Sequence, residues 1–301
     1  PMGAPGDSIN NPPKVITNAN GSQISDMDGH TTVDAVGGLW CVNLGYSNEA
    51  VKNAISEQLN HLPYYSGFAG TTNPAAIEAS YMVKEMFKAD GMEKVFFTSG
   101  GSDSVETCLR LSRQYHRLRG EPTRTKFISL KKGYHGTHFG GASVNGNNRF
   151  RIAYEPLLPG CFHLPSPYTY RNPFNETDPQ KLALNIAQTF EDEIAFQDKN
   201  TIAAFIMEPI QGAGGVIVPD PSFMGLMQEI CERNGILMIS DEVITGFGRT
   251  GSWSGARHWN VKPDMMSMAK GITSGYFPVG AALMSEKVAD VFENSNSPEA
   301  G

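Results

Sequence analysis

Gly235-Ile-Leu-Met-Ile-Ser-Asp241-Glu242-Val243 and Asp264-Met-Met-Ser-Met-Ala-Lys270-Gly271-Ile-Thr-Ser-Gly275 decide how this chain is read. Each is an apolar run that stops abruptly on charge. The first ends in two carboxylates, the second in a lysine and a glycine-containing loop. Short apolar runs bounded by turn residues read as strands buried on both faces, the kind found in parallel sheets. Ligands of such sheets bind outside the carboxyl ends of the strands. A carboxylate buried there is costly unless paired. A lysine after Met-Met-Ser-Met-Ala is poorly explained as a surface residue, and a desolvated amine becomes a nucleophile and base.

The same pattern recurs outward from these two runs. Lys94-Val-Phe-Phe-Thr98, Lys126-Phe-Ile-Ser-Leu130 and Thr201-Ile-Ala-Ala-Phe-Ile-Met207 read as strands, with further strands at 236–240 and 265–268. Helices are expected at 48–61, 75–89, 103–119, 180–197 and 222–234. The first of these sets Ala50, Val51, Ala54, Ile55 and Leu59 on one face. Residues 14–45 read as short strands broken by turns at Asn20-Gly21 and Asp26-Met-Asp28-Gly29, and 63–74 as a loop. Strands alternating with helices predict an α/β fold, a mostly parallel sheet covered on both faces.

Composition narrows the class. The 301 residues are 40% hydrophobic and 18% charged, the balance of a soluble globular protein. A net charge of -7 argues against nucleic acid as the main partner. No apolar stretch has the length of a membrane helix, and the first residues lack the charged and apolar regions of a signal peptide. Cys41, Cys108, Cys161 and Cys231 are far apart and without metal-like spacing, so buried free thiols in a reducing cytoplasm are expected.

Several strand ends carry candidate chemistry. Ser99-Gly100-Gly101-Ser102-Asp103-Ser104 joins a strand to a helix. It reads either as a phosphate cup using Gly101 and Ser102 at a helix N-terminus, or as a plain turn with Ser and Asp caps. Lys131-Lys-Gly-Tyr134-His135-Gly136-Thr137-His138 offers Tyr134 to stack on a flat ring, or simply a loop aromatic. His135 and His138 have two-ligand spacing but no third ligand nearby, so no metal is expected. Glu208, in Met207-Glu-Pro-Ile-Gln-Gly-Ala-Gly-Gly215, either lends polarity to a cleft or makes a structural ion pair. Its glycines run into Val-Ile-Val-Pro rather than a helix, which excludes a dinucleotide fingerprint. Val243, two residues past Asp241, would share its side if the strand continues.

A lysine amine to link an aldehyde, and an aspartate to keep a ring nitrogen protonated, are what pyridoxal 5′-phosphate (PLP) requires. Taken together, the motifs resemble the class III PLP-dependent aminotransferases, the omega-transaminases of fold type I. The matching segments are Ser99-Gly-Gly-Ser-Asp-Ser-Val-Glu-Thr107, Gly133-Tyr-His-Gly136, Glu208-Pro-Ile-Gln-Gly-Ala-Gly-Gly215, Asp241-Glu-Val-Ile-Thr-Gly-Phe-Gly-Arg-Thr-Gly251 and Ala269-Lys-Gly271. The resemblance implies a seven-stranded-type sheet flanked by helices, with an N-terminal piece of a small α+β domain over 1–50 and the PLP-binding domain over 51–301. It implies Lys270 as Schiff-base lysine and proton carrier, and Asp241 on the pyridine nitrogen. Gly101 and Ser102 would hold the phosphate, Tyr134 and Val243 would flank the ring, and His135 and Glu208 would complete the cofactor site.

The resemblance also implies a homodimer with shared active sites. Gly38-Leu39-Trp40 and Tyr65-Ser-Gly-Phe68 look like pocket segments of the amine:pyruvate subgroup. Leu39, Trp40 and Ala213 would line the substrate pocket, and Phe68 would reach into the neighbouring subunit. Ile244 stands where members using gamma-aminobutyrate or ornithine carry Gln, which favours pyruvate as the keto acid. The family's C-terminal domain has no counterpart in the sequence, so a truncated chain is expected. The expected reaction is ping-pong transfer of an amino group from an amine or omega-amino acid. An aminomutase or decarboxylase on the same scaffold, or an inactive PLP-binding fragment, are the alternatives.

Overall fold

The computed structural model describes residues 12–68 and 70–298. Its centre is a seven-stranded sheet of β4 (Met92–Thr98), β5 (Lys126–Leu130), β6 (Cys161–Leu164), β7 (Ile202–Met207), β8 (Leu237–Asp241), β9 (Met265–Met268) and β10 (Gly280–Ser285). The spatial order is β4-β10-β9-β8-β7-β5-β6. Every neighbouring pair from β9 to β6 is parallel, and β10 runs antiparallel to both β4 and β9. A separate antiparallel sheet, β1 (Ile16–Asn20), β2 (Gln23–Asp26) and β3 (Thr31–Val33), precedes it.

The helices are α1 (Glu49–His61), α2 (Pro74–Phe87), α3 (Gly101–Leu118), α4 (Phe139–Val144), α5 (Pro179–Gln197), α6 (Phe223–Asn234), α7 (Gly255–His258) and α8 (Glu286–Glu293). Their starts follow local chemistry. Asn48, Asn73 and Asp178 each accept a backbone N–H of the first turn, and prolines open α2 and α5. Gly235 ends α6 in the left-handed conformation.

Two apolar layers sandwich the sheet. Phe205 and Met207 of β7, Met238 of β8 and Leu283 of β10 pack with Phe190 of α5 and Met227 of α6. Ile206, Ile239 and Ala282 face the other way, against Val105 and Leu109 of α3 and Val288 of α8. Central strands buried on both faces explain the unbroken apolar runs: all six residues of β7 and all five of β8 are buried. Each large side chain removed from water contributes about 1.5–3 kcal/mol.

The predicted elements are present, with three differences. Strands β6 and β10, helices α4, α7 and α8, and a four-residue helical segment at Gly37–Trp40, where short strands were expected, have no counterpart in the sequence reading. Helix α3 begins at Gly101, two residues early, because Gly100 serves as its cap position. Strand β8 stops at Asp241, so Val243 lies in a turn rather than in a continuing strand. Cys108 and Cys231 are buried, Cys41 and Cys161 only partly so, and all four are free thiols. Among the described residues, no helix is long and apolar enough to cross a membrane.

Candidate active site

Strand ends β4, β5, β7, β8 and β9 deliver their following residues to one cavity of about 140 Å³. Gly101, Ser102, Tyr134, His135, Glu208, Asp241, Val243 and Lys270 all line it. The eight come from five loops spread over 170 residues, and only the parallel sheet brings them together.

Asp241 closes β8 and is buried. Its Oδ2 lies 2.8 Å from His135 Nδ1; its Oδ1 accepts from Ser267 Oγ at 3.0 Å and from the Val243 N–H at 3.2 Å. Ser267 is the strand partner of Asp241 on β9, so a lone polar residue in Met-Met-Ser-Met serves the carboxylate beside it. His135 is fixed in turn, its N–H bonded to Asn145 Oδ1. The other ring nitrogen, Nε2, is buried and finds no partner among the described residues.

Lys270 follows β9 and is half-buried. Desolvation holds its amine below the usual lysine range; Asp241 and then Glu208 pull the other way. Its backbone has φ +51, the left-handed region, within a single 3₁₀ turn over Lys270–Ile272. Ser104 Oγ donates to Met268 O at 2.9 Å and ties the first turn of α3 to the end of β9.

Glu208 follows β7 with only 4% of its surface exposed. Burial pushes its carboxyl up to about 7 and Asp241 adds to the rise; His135 and the N–H groups of Tyr134 and Gly212 oppose it. Those N–H groups donate to Oε1 and Oε2 at 2.9 and 2.8 Å, so one carboxylate joins the Tyr134 loop to the Gly212 loop. The Tyr134 hydroxyl is raised by burial and by Asp241. Its ring sits 4.7 Å from that of Phe150.

The glycine turn lacks the Ser and Asp caps of the alternative reading. No side chain caps α3, and Gly100 is extended at φ 171. Asp103 is turned back to accept the Ser99 N–H at 3.2 Å, which keeps its charge out of the helix mouth. A Cβ on Gly101 would press on Val243 at 3.0 Å, and one on Gly136 would meet Ser102 Oγ at 2.7 Å. The uncapped N–H groups and positive end of an 18-residue helix therefore face a cavity kept open by missing side chains. An amine, a buried carboxylate and an anion cup around one space fit PLP: Lys270 for its aldehyde, Asp241 for its ring nitrogen, the α3 mouth and Ser102 for its phosphate.

The remaining sequence-derived pocket residues are placed differently. Trp40 lines a neighbouring cavity. Leu39 and Phe68 are 59% and 86% exposed, and neither they nor Ala213 lines either cavity. Val105, Gly136, Ile244 and Ala269 complete the first cavity. Val105 is one helical turn past Gly101 and Ala269 directly precedes Lys270, so helical spacing and adjacency were the available signals.

Comparison with known proteins places the chain in a family. The family described as aminotransferase class-III matches residues 6–300. Putrescine–pyruvate aminotransferase of Pseudomonas aeruginosa is 38% identical over 278 residues, 92% of this chain and 60% of its own length. Gamma-aminobutyrate transaminase 1, mitochondrial, of Oryza sativa subsp. indica is 36% identical over 285 residues, 95% of this chain and 55% of its own. An amine transaminase from an uncultivated Pseudomonas species, solved in its PLP-bound form, superposes with a TM-score of 0.97 at 46% identity, covering 99% of this chain and 67% of that one. An (S)-enantioselective omega-transaminase from Thermomicrobium roseum gives 0.94 at 35%, covering 99% and 66%. The chain belongs to the class-III aminotransferase family. It spans about 60% of the length of the first curated relatives it matches.

Proposed function

We propose that the protein is a PLP-dependent aminotransferase that moves an amino group from an amine or omega-amino acid to a keto acid, with pyruvate as acceptor, in the cytoplasm. The observation that carries this reading is the meeting of the Lys270 amine, the buried Asp241 carboxylate and the uncapped start of α3 around one cavity. PLP, when bound, supplies an aldehyde for the amine to condense with and a cationic ring that draws electrons from the neighbouring C–H bond.

The chain's own residues do the rest. Lys270 Nζ, whose basicity desolvation lowers, is the atom that would link the cofactor and afterwards take up and return the substrate proton. Asp241 holds a proton on the ring nitrogen by its charge, and His135, Ser267 and the Val243 N–H hold Asp241 in place. Val243 and Tyr134 bound the ring faces. Ser102 and the first N–H groups of α3 bind the phosphate. Ping-pong kinetics follow, because one site handles donor and acceptor in turn.

Assembly is part of the proposal: a homodimer with shared sites, in which Leu39, Phe68 and Ala213 reach the substrate only with a second subunit in place. The solvent-facing aromatics Tyr64, Tyr65 and Phe68 support it. The test is the visible spectrum of the purified chain with PLP. Cofactor absorption that bleaches with 1-phenylethylamine, returns with pyruvate and is absent in Lys270→Ala supports the reading. Unaltered amine–pyruvate exchange in Lys270→Ala would sink it.

A further inference from the structure

A separate cavity, of about 720 Å³, shares no lining residue with the one that Lys270 lines. It opens where β5 and β6 end. Lys131 and Lys132 follow β5, His163 belongs to β6, and the remaining walls, Arg151 and Glu155 among them, come from the segment between α4 and β6. Three cations share this lining with one carboxylate, in a chain whose net charge is -7.

The cations are not equally committed. Arg151 Nη2 donates to Glu155 Oε1 at 3.2 Å, and Nη1 donates to Ser143 O and Asn145 O, both at 3.0 Å. Lys131 is exposed and Lys132 half-buried, and neither pairs with a carboxylate among the described residues. The Lys132 ammonium lies 4.8 Å from the centre of the Tyr168 ring, a contact that leaves its charge without a counter-ion. Burial and the Arg151 charge push His163 down to about 4, so it adds no charge at neutral pH. Asn147 Oδ1 accepts the Arg149 N–H at 3.1 Å, which leaves its Nδ2 as a further donor at the same wall.

The backbone beneath these lysines is pinned. The Lys131 N–H donates to Leu164 O and the Lys132 N–H to Gly146 O, both at 2.8 Å, and Gln211 Nε2 donates to Lys131 O at 2.9 Å. Two ammonium groups without acid partners thus stand on a backbone that needs no ordering to receive an anion.

We propose that this cavity binds a phosphate group, as the free ion or as a phosphate monoester, at Lys131 and Lys132. Two unpaired charges match a dianion, whereas a carboxylate neutralises one of them. The site stands apart from the aminotransferase reading and holds or fails without it.

The test is calorimetry on the full chain at low salt and about pH 8, where phosphate monoesters are dianions. The probes are inorganic phosphate, glycerol 3-phosphate and acetate. Both phosphates should bind about tenfold more tightly than acetate. Tighter binding of glycerol 3-phosphate than of inorganic phosphate makes an ester the occupant; equal binding makes it the phosphate group alone. The double variant Lys131→Gln/Lys132→Gln should weaken both about tenfold or more. Glu155→Gln, which removes the one carboxylate of the lining, should tighten them about threefold. Ser102→Asp places a carboxylate at the mouth of α3 and should leave this binding unchanged. No phosphate binding by the parent, parental affinity in the double variant, or loss of all phosphate binding in Ser102→Asp overturns the proposal, the last because it would put the phosphate at α3.

Discussion

His135 Nδ1 and Asp241 Oδ2 stand 2.8 Å apart with both side chains buried. A buried carboxylate keeps its charge only while its oxygens are supplied with donors, and His135 is the one donor to Oδ2 among the described residues. His135→Phe should therefore loosen PLP about tenfold, the scale of losing one hydrogen bond to a charged group, while Ser267 and Val243 still hold Oδ1. Asp241→Asn removes the charge itself and should slow turnover about 10²–10³-fold. Equilibrium dialysis of PLP and steady-state rates check both. A His135→Phe protein with parental PLP affinity would show that Oδ1 contacts alone suffice.

Glu208 makes stability depend on pH. Its carboxyl is raised from 4.5 to about 7 in the fold, chiefly by burial. Between those values the folded chain keeps a proton that the unfolded chain releases, so stability falls as pH rises from about 4.5 to 7 and is level above. At about 1.4 kcal/mol per unit the loss is about 3 kcal/mol. Glu208→Gln imitates the protonated form and should erase that slope. Urea midpoints at about pH 5 and 8, without cofactor, decide it; equal slopes in parent and variant would place the proton elsewhere.

Gly136 is needed for two reasons at once. Its φ is +103, and a Cβ there would sit 2.7 Å from Ser102 Oγ. Gly136→Ala should cost about 1–3 kcal/mol in backbone strain. It should also weaken PLP, because Ser102 is displaced from the cup and loses the Thr137 N–H that fixes it at 3.1 Å. Pyridoxal, which lacks the phosphate, should be affected much less than PLP; equal loss for the two would move the phosphate away from Ser102.

Arg257 anchors the far end of the loop that begins at Asp241. It pairs with the buried Asp90 and donates to Met86 O at 2.7 Å. Asp90 also accepts Ser254 Oγ at 2.7 Å. Arg257→Ala leaves that carboxylate buried with one neutral donor and should destabilise the chain by about 3–5 kcal/mol. Adding Asp90→Ala should restore part of the loss. A double variant as unstable as the sum of the two singles would deny the coupling.

The strands that lead to Asp241, Glu208 and Lys270 were legible because burial on both faces leaves an uninterrupted apolar run, and a charge at its end is conspicuous. Strand β10 was not. Gly280-Ala-Ala-Leu-Met-Ser is rich in helix formers and lacks β-branched residues, and only its antiparallel pairing with β4 and β9 makes it a strand. Strand β6, four residues among prolines and glycines, is likewise defined by its neighbour β5. In the site, Asp241 and Lys270 were readable one at a time, but the pairing of His135 with Asp241 spans 106 positions and no local pattern encodes it. The role of Ser267 depends on strand register, and Val243 reaches the cavity through a turn rather than the strand continuation its spacing implied. Leu39 and Phe68 face solvent in one chain, so a motif alone could not place them.

The left-handed backbone at Lys270 sets fold and chemistry at odds. That conformation costs an L side chain about 1–2 kcal/mol and glycine nothing. For backbone strain alone, glycine is the better choice at 270. A library sorted only for survival of heating would therefore be drawn toward Lys270→Gly, relieving backbone strain by discarding the amine proposed to hold PLP. Any thermostabilisation campaign on this scaffold must score cofactor capture alongside heat resistance, or it will select well-folded proteins without the lysine proposed to hold PLP.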